Sequence, residues 1–452
     1  MAIHTCRDFL TTGILTGQFV PYQCVYFTSM FLRVVLNYTV VGQTNCNVDS
    51  STYRIASGNN GSLNQGGGDI YAFAPNGYTV SAADINRIIV LKSPGHPMVN
   101  SGLFRVTAID AVNNWFYLDY RSGDTPPAET GMTWALYENE AVFTAAVNTT
   151  GNGNTTEYTG HGSATQTRII LQSPHSTNYQ VRLCIENAFD RDLGPVSCWT
   201  SYAPGYGGNS AGDFQPGGQC LHSALYFNKR NSELRGGSVG WNGASSFPNT
   251  QGRIYMWGDD SSGTFVGVNR AVTAPGSDSF CAFGLPEDEE QPLPPKNIQR
   301  LFTMGASTMT NGGVNGIYWY CGTNNDRGRM GVAFGLSNQP VSCIFSIYSP
   351  LVVVAWNSGR PARNTLAAGD NPYLSSTELL SVDLLAGTHD NLSLASGNEV
   401  YVLEGRRLGR APIMRMGRAN YGAFQIAPTT DGNTWLHLND GIYLPWKGAI
   451  LP

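Results

Sequence analysis

The hydrophobic pattern is most regular between Gly66 and Tyr137. Residues 69–73, 85–91, 103–109, 115–120 and 133–137 are short runs dense in β-branched and aromatic residues, as half-buried strands are. Turn formers stand between them. Ser93-Pro94-Gly95-His96-Pro97, Asn100-Ser101-Gly102 and Asp110-Ala111-Val112-Asn113-Asn114 hold the residues that supply fixed or positive φ. Alternation within 103–109 places Leu103, Arg105, Thr107 and Ile109 on one face and Phe104, Val106 and Ala108 on the other. The spacing predicts a small antiparallel barrel or meander over 66–146.

The remaining chain carries the same short-period signal with less regular punctuation. Residues 1–65 contain 9–15, a helix or strand, and then the apolar run 24–36, which is too short to span a bilayer and holds Arg33. That run reads as a buried strand pair. The whole segment is either an arm for a neighbouring subunit or the first strands of the barrel. Residues 147–165 read as a Gly/Asn/Thr-rich linker. Over 166–398, a β-sandwich-like region of one or more domains is expected. Its strands are 167–171, 179–186, 253–257, 264–268, 280–283, 316–321, 341–348 and 351–356. Residues 297–304 and 376–385 are compatible with short helices. A β-rich carboxyl-terminal segment, 399–452, alternates strands and turns. The expected fold class is mainly β, with several antiparallel barrel or sandwich domains and few short helices.

Composition narrows the setting. Charged residues make up only 13% of the 452, against a usual level of about 25%. A surface made instead of Asn, Ser, Thr, Gly and Tyr suits packing against neighbouring subunits, and a secreted all-β protein is the alternative. Net charge is −5 and no basic run exceeds Arg406-Arg407, so no dedicated nucleic-acid surface is expected. Nine cysteines, Cys6, Cys24, Cys46, Cys184, Cys198, Cys220, Cys281, Cys321 and Cys343, show no C-x-x-C and no zinc spacing. Most read as small buried hydrophobes in a reducing compartment, with a disulfide framework as the alternative. The amino terminus lacks a signal-peptide pattern, so the sequons at Asn148 and Asn154 read as chance.

Candidate chemistry is sparse. The histidines, His4, His96, His161, His175, His222, His389 and His437, form no H-x-H or H-E-x-x-H. Gly243-Ala244-Ser245-Ser246-Phe247 fails the nucleophile-elbow pattern at its last position, and the glycines of 205–243 lack a phosphate-loop spacing. The acid pairs Asp259 and Asp260, or Asp383 and Asp390, are the glycosidase candidates, since that chemistry needs two carboxylates about 5 to 9.5 Å apart. Glu287-Asp288-Glu289-Glu290 reads as a solvated or subunit-facing patch. Arg406, Arg407, Arg410, Arg415 and Arg418 form a basic counterpart far along the chain, a pairing that head-to-tail ring contacts use. No catalytic, cofactor-binding or metal residue is assigned, and no cofactor is expected.

Two stretches carry a resemblance. The strings D-I-N-R-I-I-V-L, N-S-G-L-F-R-V-T-A-I-D and W-F-Y-L-D resemble a small β-module of virion proteins of tailed bacteriophages. Residues 203–222, with A-P-G-Y-G-G-N, G-D-F and G-G-Q-C-L-H, and residues 253–260 are similar to phage structural proteins. The resemblance implies a non-enzymatic virion component, made in the host cytoplasm and assembling as a symmetric oligomer in the tail, baseplate or neck. Its partners would be copies of itself and other virion proteins, without direct nucleic-acid binding or membrane insertion. A receptor-binding spike or fibre recognising host surface glycans is the alternative, and a glycan-degrading tailspike enzyme a second.

Overall fold

The computed structural model describes residues 2–10, 20–44, 47–48, 50–65, 71–119, 126–142, 167–175, 179–185, 196–202, 219–224, 252–271, 278–285, 287, 302–311, 314–320, 332–334, 340–345, 356–357, 360–361, 379–390, 398–417, 424–428, 433–437 and 442–448. Strands dominate them and every pairing is antiparallel, so the chain is mainly β as expected. The chain opens with β1 (Ile3–Leu10), α1 (Val20–Val34) and β2 (Thr39–Thr44). Next come β3 (Arg54–Gln65), β4 (Tyr71–Ala74), β5 (Ile88–Lys92), the one-turn α2 (Pro97–Asn100), β6 (Gly102–Asp110), β7 (Trp115–Leu118) and β8 (Glu129–Tyr137). These six strands close a barrel in the order β3-β4-β7-β6-β5-β8.

Three open sheets complete the described architecture. β9 (Thr167–Gln172), β10 (Tyr179–Ile185), β11 (Val196–Tyr202) and β12 (Gln219–Ala224) extend β2 into a sheet ordered β12-β11-β10-β9-β2. β13 (Gly252–Asp259), β14 (Phe265–Ala271), β15 (Asp278–Gly284), β16 (Phe302–Asn311) and β17 (Val314–Tyr320) follow β1 in sequential order to make a second sheet. The third contains β18 (Val332–Phe334), β19 (Pro340–Phe345), β20 (Trp356–Asn357), β21 (Arg360–Pro361), β22 (Leu379–Asp390), β23 (Asn398–Gly417), β24 (Gln425–Pro428), β25 (Thr434–His437) and β26 (Ile442–Pro445). Its main path runs β18-β19-β22-β23-β26-β25-β24.

The barrel interior is filled by Phe73, Ile89, Leu91, Phe104, Val106 and Trp134 among others, all essentially sealed from solvent. Ile88 and Val90, which alternate with the inward residues of β5, are sealed too, because α1 packs on that strand from outside. One expectation about β6 changes. Its register with β7 slips between Val106 and Ala108, and Ile109 packs on the barrel core although alternation put it opposite Val106. A β-bulge adds one residue and so reverses which face follows. A second irregularity, in β3 between Gly58 and Gly61, brings the backbone onto the core aromatics. A Cβ on Gly61 would lie 2.2 Å from Phe73 Cζ and 2.8 Å from Trp134 Cδ1.

Several sequence expectations need correction. Residues 24–36 are not a strand pair: all but the last two of them lie on α1, which ends at Val34. From Tyr26 to Leu36 every residue is buried except the partly exposed Arg33. From Tyr26 to Val34 both faces of the helix are buried apart from Arg33, so apolar density rather than a polar face is what the sequence displays. The arm question resolves by residue. β1 and β2 join open sheets with β13 and β9, whereas Arg54–Gln65 is a barrel strand, so the barrel starts upstream of Gly66. Residues 379–385 are strand, not helix, because β22 pairs along its length with β23, and its apolar residues fit either period. Phe302–Met304 likewise lie on a strand held by β15 and β17, while 297–301 fall outside the described residues. Also outside are the linker 147–165 and residues 351–355.

Gly61→Ala is expected to destabilise the protein by about 1–3 kcal/mol, because Phe73 and Trp134 must move within a filled barrel. Denaturant unfolding followed by tryptophan fluorescence would measure it, with exposed Ser57→Ala as the neutral comparison.

Candidate functional site

β1 carries a run of buried polar side chains, His4, Thr5, Arg7 and Asp8. From His4 to Phe9 each side chain is buried, between β13 on one side and α2 and β6 of the barrel on the other. Gly102 permits the approach: its φ is +127°, and a Cβ there would lie 2.7 Å from Cys6 Cα. Leu103 N–H then donates to Cys6 Sγ at 3.3 Å.

His4 is the centre of a chain of hydrogen bonds between the β13–β14 turn and the barrel. Its Nδ1 lies 2.9 Å from Ser101 Oγ and its Nε2 lies 2.8 Å from Asp260 Oδ2. Lys92 Nζ donates to the other Asp260 oxygen at 3.1 Å. Ser101 Oγ accepts the Ser93 N–H at 2.9 Å, and Ser93 Oγ donates to Glu129 at 2.5 Å. Glu129 also accepts Gly95 N–H at 2.6 Å and Asn100 Nδ2 at 2.8 Å. A serine, a histidine and an aspartate in this bonded order are the parts of an acyl-transfer nucleophile. The surroundings forbid that use. Ser101 and His4 are each 1% exposed, and the serine oxygen already takes a backbone hydrogen bond. Enclosed and mutually bonded, the constellation joins the β13–β14 turn to the barrel.

Electrostatics agree with a joint. Burial opposes ionisation of Asp260, but the hydrogen bond and charge of His4, with the ammonium of Lys92, outweigh it and hold the carboxyl below its ordinary value. Farther along β1, Arg7 donates to the carbonyls of Lys447 and Val99 and lies 5.9 Å from the centre of the Trp446 ring. Asp8, at φ +49° within a bulge, accepts the Tyr255 hydroxyl. Arg105 grips both oxygens of Glu140 at 2.8 and 3.0 Å, with its guanidinium 5.3 Å from the Phe9 ring centre. On the barrel rim Arg87 bridges Asp84 and Glu138, and Tyr78 donates to Asp84. Burial and that bond push the Tyr78 phenol up to about 12, out of range for a base at neutral pH.

The sequence candidates fall as follows. Asp259 is buried and accepts the Ser261 and Ser262 hydroxyls at 2.7 and 2.6 Å, closing the turn, while Asp260 serves His4 and Lys92. The pair does not converge on a cleft. Asp383 and Asp390 lie on one strand, seven residues and so roughly 23 Å apart when extended, well beyond glycosidase separation. Glu287 forms a backbone bridge with Arg410, 2.8 Å each way, so the acidic run and the basic cluster meet within one chain at this point. The remaining acidic-run residues lie outside the described ones. His437 is buried against Tyr443, ring centres 4.8 Å apart. Among the described residues, no group of three or more His, Cys, Asp or Glu side chains could hold a metal. Sequence spacing gave no sign of the His4 cluster, whose members are 97 and 256 residues apart.

One cavity stands apart from the joint. It encloses about 680 Å³ where the end of α1, β2 and barrel strands β3 and β8 meet. Arg33 and Arg54 are its charged lining residues. Comparison with protein families, curated proteins and solved structures finds no match to this chain. Among the described residues no helix is long and apolar enough to cross a membrane.

Because the folded protein lowers the Asp260 value, the contribution of this carboxylate is complete above about pH 4 and drains away as pH falls through the folded value. Asp260→Asn should therefore lose about 1 kcal/mol at pH 7 and show a shallower fall in stability between pH 5 and pH 3. Urea titrations across that range would show it; equal acid slopes in both proteins would refute the assignment.

Proposed function

We propose that this protein is a non-enzymatic structural component of a tailed-phage virion, a rigid building block assembling as a symmetric oligomer in the tail, baseplate or neck. One observation carries the reading. Among the described residues, His4, Ser101, Asp260 and Lys92, side chains with acid–base or nucleophilic character, are spent on fastening the barrel to the β1–β13 sheet. Buried and mutually bonded polar groups hold two bodies in one relative placement, which a part under load in a particle needs. The charge-poor composition and the resemblance of strings within 84–119 to a phage virion module point the same way. In this reading the partners are further copies and neighbouring virion proteins, and the site of action is the particle.

A second reading, a receptor-binding spike or fibre for host surface glycans, is favoured by the cavity beside the barrel. Cryo-electron microscopy of the particle encoded by the same genome separates the two. The assembly reading expects density in a closed ring or collar on the tail axis, contacting other virion proteins on both sides. Density confined to the outer tip of an appendage, or absence from the particle, would overturn it.

A further inference from the structure

A bulge divides β1 into two parts that are fastened differently. Up to Cys6 the strand runs in steady register with β13; the register shifts between Cys6 and Phe9, where Asp8 takes φ +49°. Beyond the bulge the Phe27 ring of α1 meets Phe9, Arg105 lies over the same ring, and Asp8 has Tyr255 and Arg253 as partners. Before it, the strand meets the barrel at α2 and the start of β6. Cys6 packs there on Gly102 and accepts the Leu103 N–H. The other bonds across this corner are polar side-chain bonds, from His4 to Ser101 and from Asp260 to Lys92.

Asp260 holds the two sides of the corner together through its charge. One carboxylate oxygen takes His4 Nε2 of β1 and the other takes Lys92 Nζ of β5, so two basic groups from different elements share a single anion. Nε2 faces a carboxylate and carries a proton in either charge state of the ring; Nδ1 then accepts from Ser101 or donates to it. The neighbouring carboxylates are committed elsewhere. Asp259 is turned to the hydroxyls of Ser261 and Ser262, and Glu129 of β8 takes Ser93, Gly95 and Asn100, with Ser93 and Ser101 standing between it and His4. Among the described residues Asp260 is the one carboxylate bonded to His4 or Lys92. Its side chain is 32% exposed and so is open to protons from solvent, whereas that of His4 is 1% exposed.

We propose that Asp260 is an acid-sensitive latch: its protonation lets the part of β1 before the bulge, with the β13–β14 turn, separate from the α2–β6 corner of the barrel while barrel and sheets stay folded. A neutral Asp260 leaves Lys92 without its countercharge and His4 with a weaker acceptor, both in a partly dry corner, and opening to water relieves that loss. The filled barrel interior and the apolar faces of α1 do not titrate, so they hold while the corner opens. The sign follows from the folded state: burial raises the Asp260 value, and the His4 bond and charge with Lys92 more than offset it. A carboxylate depressed in this way holds the corner fully above about pH 4 and releases it as pH falls through the folded value. Asp8 and Glu140, on the other side of the bulge, also gain protons in acid, and a variant at Asp260 alone separates their part from its own.

Cys6 is the reporter for the test, since its thiol is buried against Gly102 in the same corner. The full chain is treated with 4,4′-dithiodipyridine, which forms a mixed disulfide with a thiol it can reach and expels thiopyridone. Peptide mass mapping follows modification at Cys6 at pH 7 and pH 3, each rate divided by that of glutathione at the same pH, with circular dichroism recording the strand signal. The wild-type rate should rise about threefold or more at pH 3 with the strand signal intact. Asp260→Asn, uncharged at either pH, should label about fivefold faster than wild type at pH 7 and change little at pH 3. Asp110→Asn, in the β6–β7 turn, should follow the wild type. If Asp260→Asn does not fold at pH 7, Lys92→Gln replaces it, and its labelling should begin to rise at a higher pH than in the wild type because one of the two groups holding the carboxylate is gone. A Cys6 rate that does not change in acid, a rise that coincides with loss of the strand signal, or wild-type pH dependence in the variant at Asp260 or Lys92 would overturn the proposal.

Discussion

Enclosure of helix α1 is the constraint on which the described architecture depends. It packs against barrel strands β5, β6 and β8, against β13 of one open sheet and against β9, β10 and β11 of another. Its aromatic contacts reach the barrel and the β1–β13 sheet: Tyr26 lies 6.4 Å from Tyr137 of the barrel, and Phe31 lies 6.0 Å from Phe265 on β14, centre to centre. Phe27 meets Phe9 of β1 edge-on at 4.9 Å. Each large apolar side chain so buried contributes on the order of 1.5–3 kcal/mol. The polar atoms that must come along are provided for: the Tyr26 hydroxyl donates to Glu138 O at 3.0 Å and Ser29 Oγ to Tyr26 O at 2.7 Å. A helix packed against three bodies at once cannot be shifted by a turn without emptying contacts in each of them.

β1 complements the helix with direction. Apolar burial alone would hold barrel and sheet together in many relative placements. The His4, Arg7 and Asp8 bonds, each made to a different part of the chain, accept few. Breaking one partner would leave a buried polar group unsatisfied, a loss larger than the net worth of the bond itself. The two kinds of interaction divide the work, with adhesion from α1 and placement from β1.

What could be read beforehand follows the same division. The barrel was legible because its strands are neighbours in sequence, separated by turns whose residues announce themselves, as at Asn100-Ser101-Gly102. Its register was less so, since Thr107 carries no mark of a bulge. Helix α1 was missed because Tyr26 to Val34 are buried on both faces apart from Arg33, so apolar density stands where a polar face would have marked the period. The pairing of Ile3 with Asp259 and the bonds of His4 leave no local trace, being long-range choices among many compatible strands. The cavity was equally hidden. It lies where a helix end and a bulge diverge, and neither Arg33 nor Arg54 stands in a recognisable motif.

The β1–β13 pairing also imposes an order of events during synthesis. The barrel strands lie within residues 54–137 and can pair as soon as that stretch is made. β1, made before the barrel, must wait for residues 252–259, and the carbonyl that Arg7 engages belongs to Lys447. At ordinary elongation rates that delay is on the order of tens of seconds. Throughout it Phe9 and the apolar residues of α1 lack much of their final cover. The nascent chain thus presents an apolar segment well before its cover is made, so its yield depends on how well the cell shields that segment in the interval.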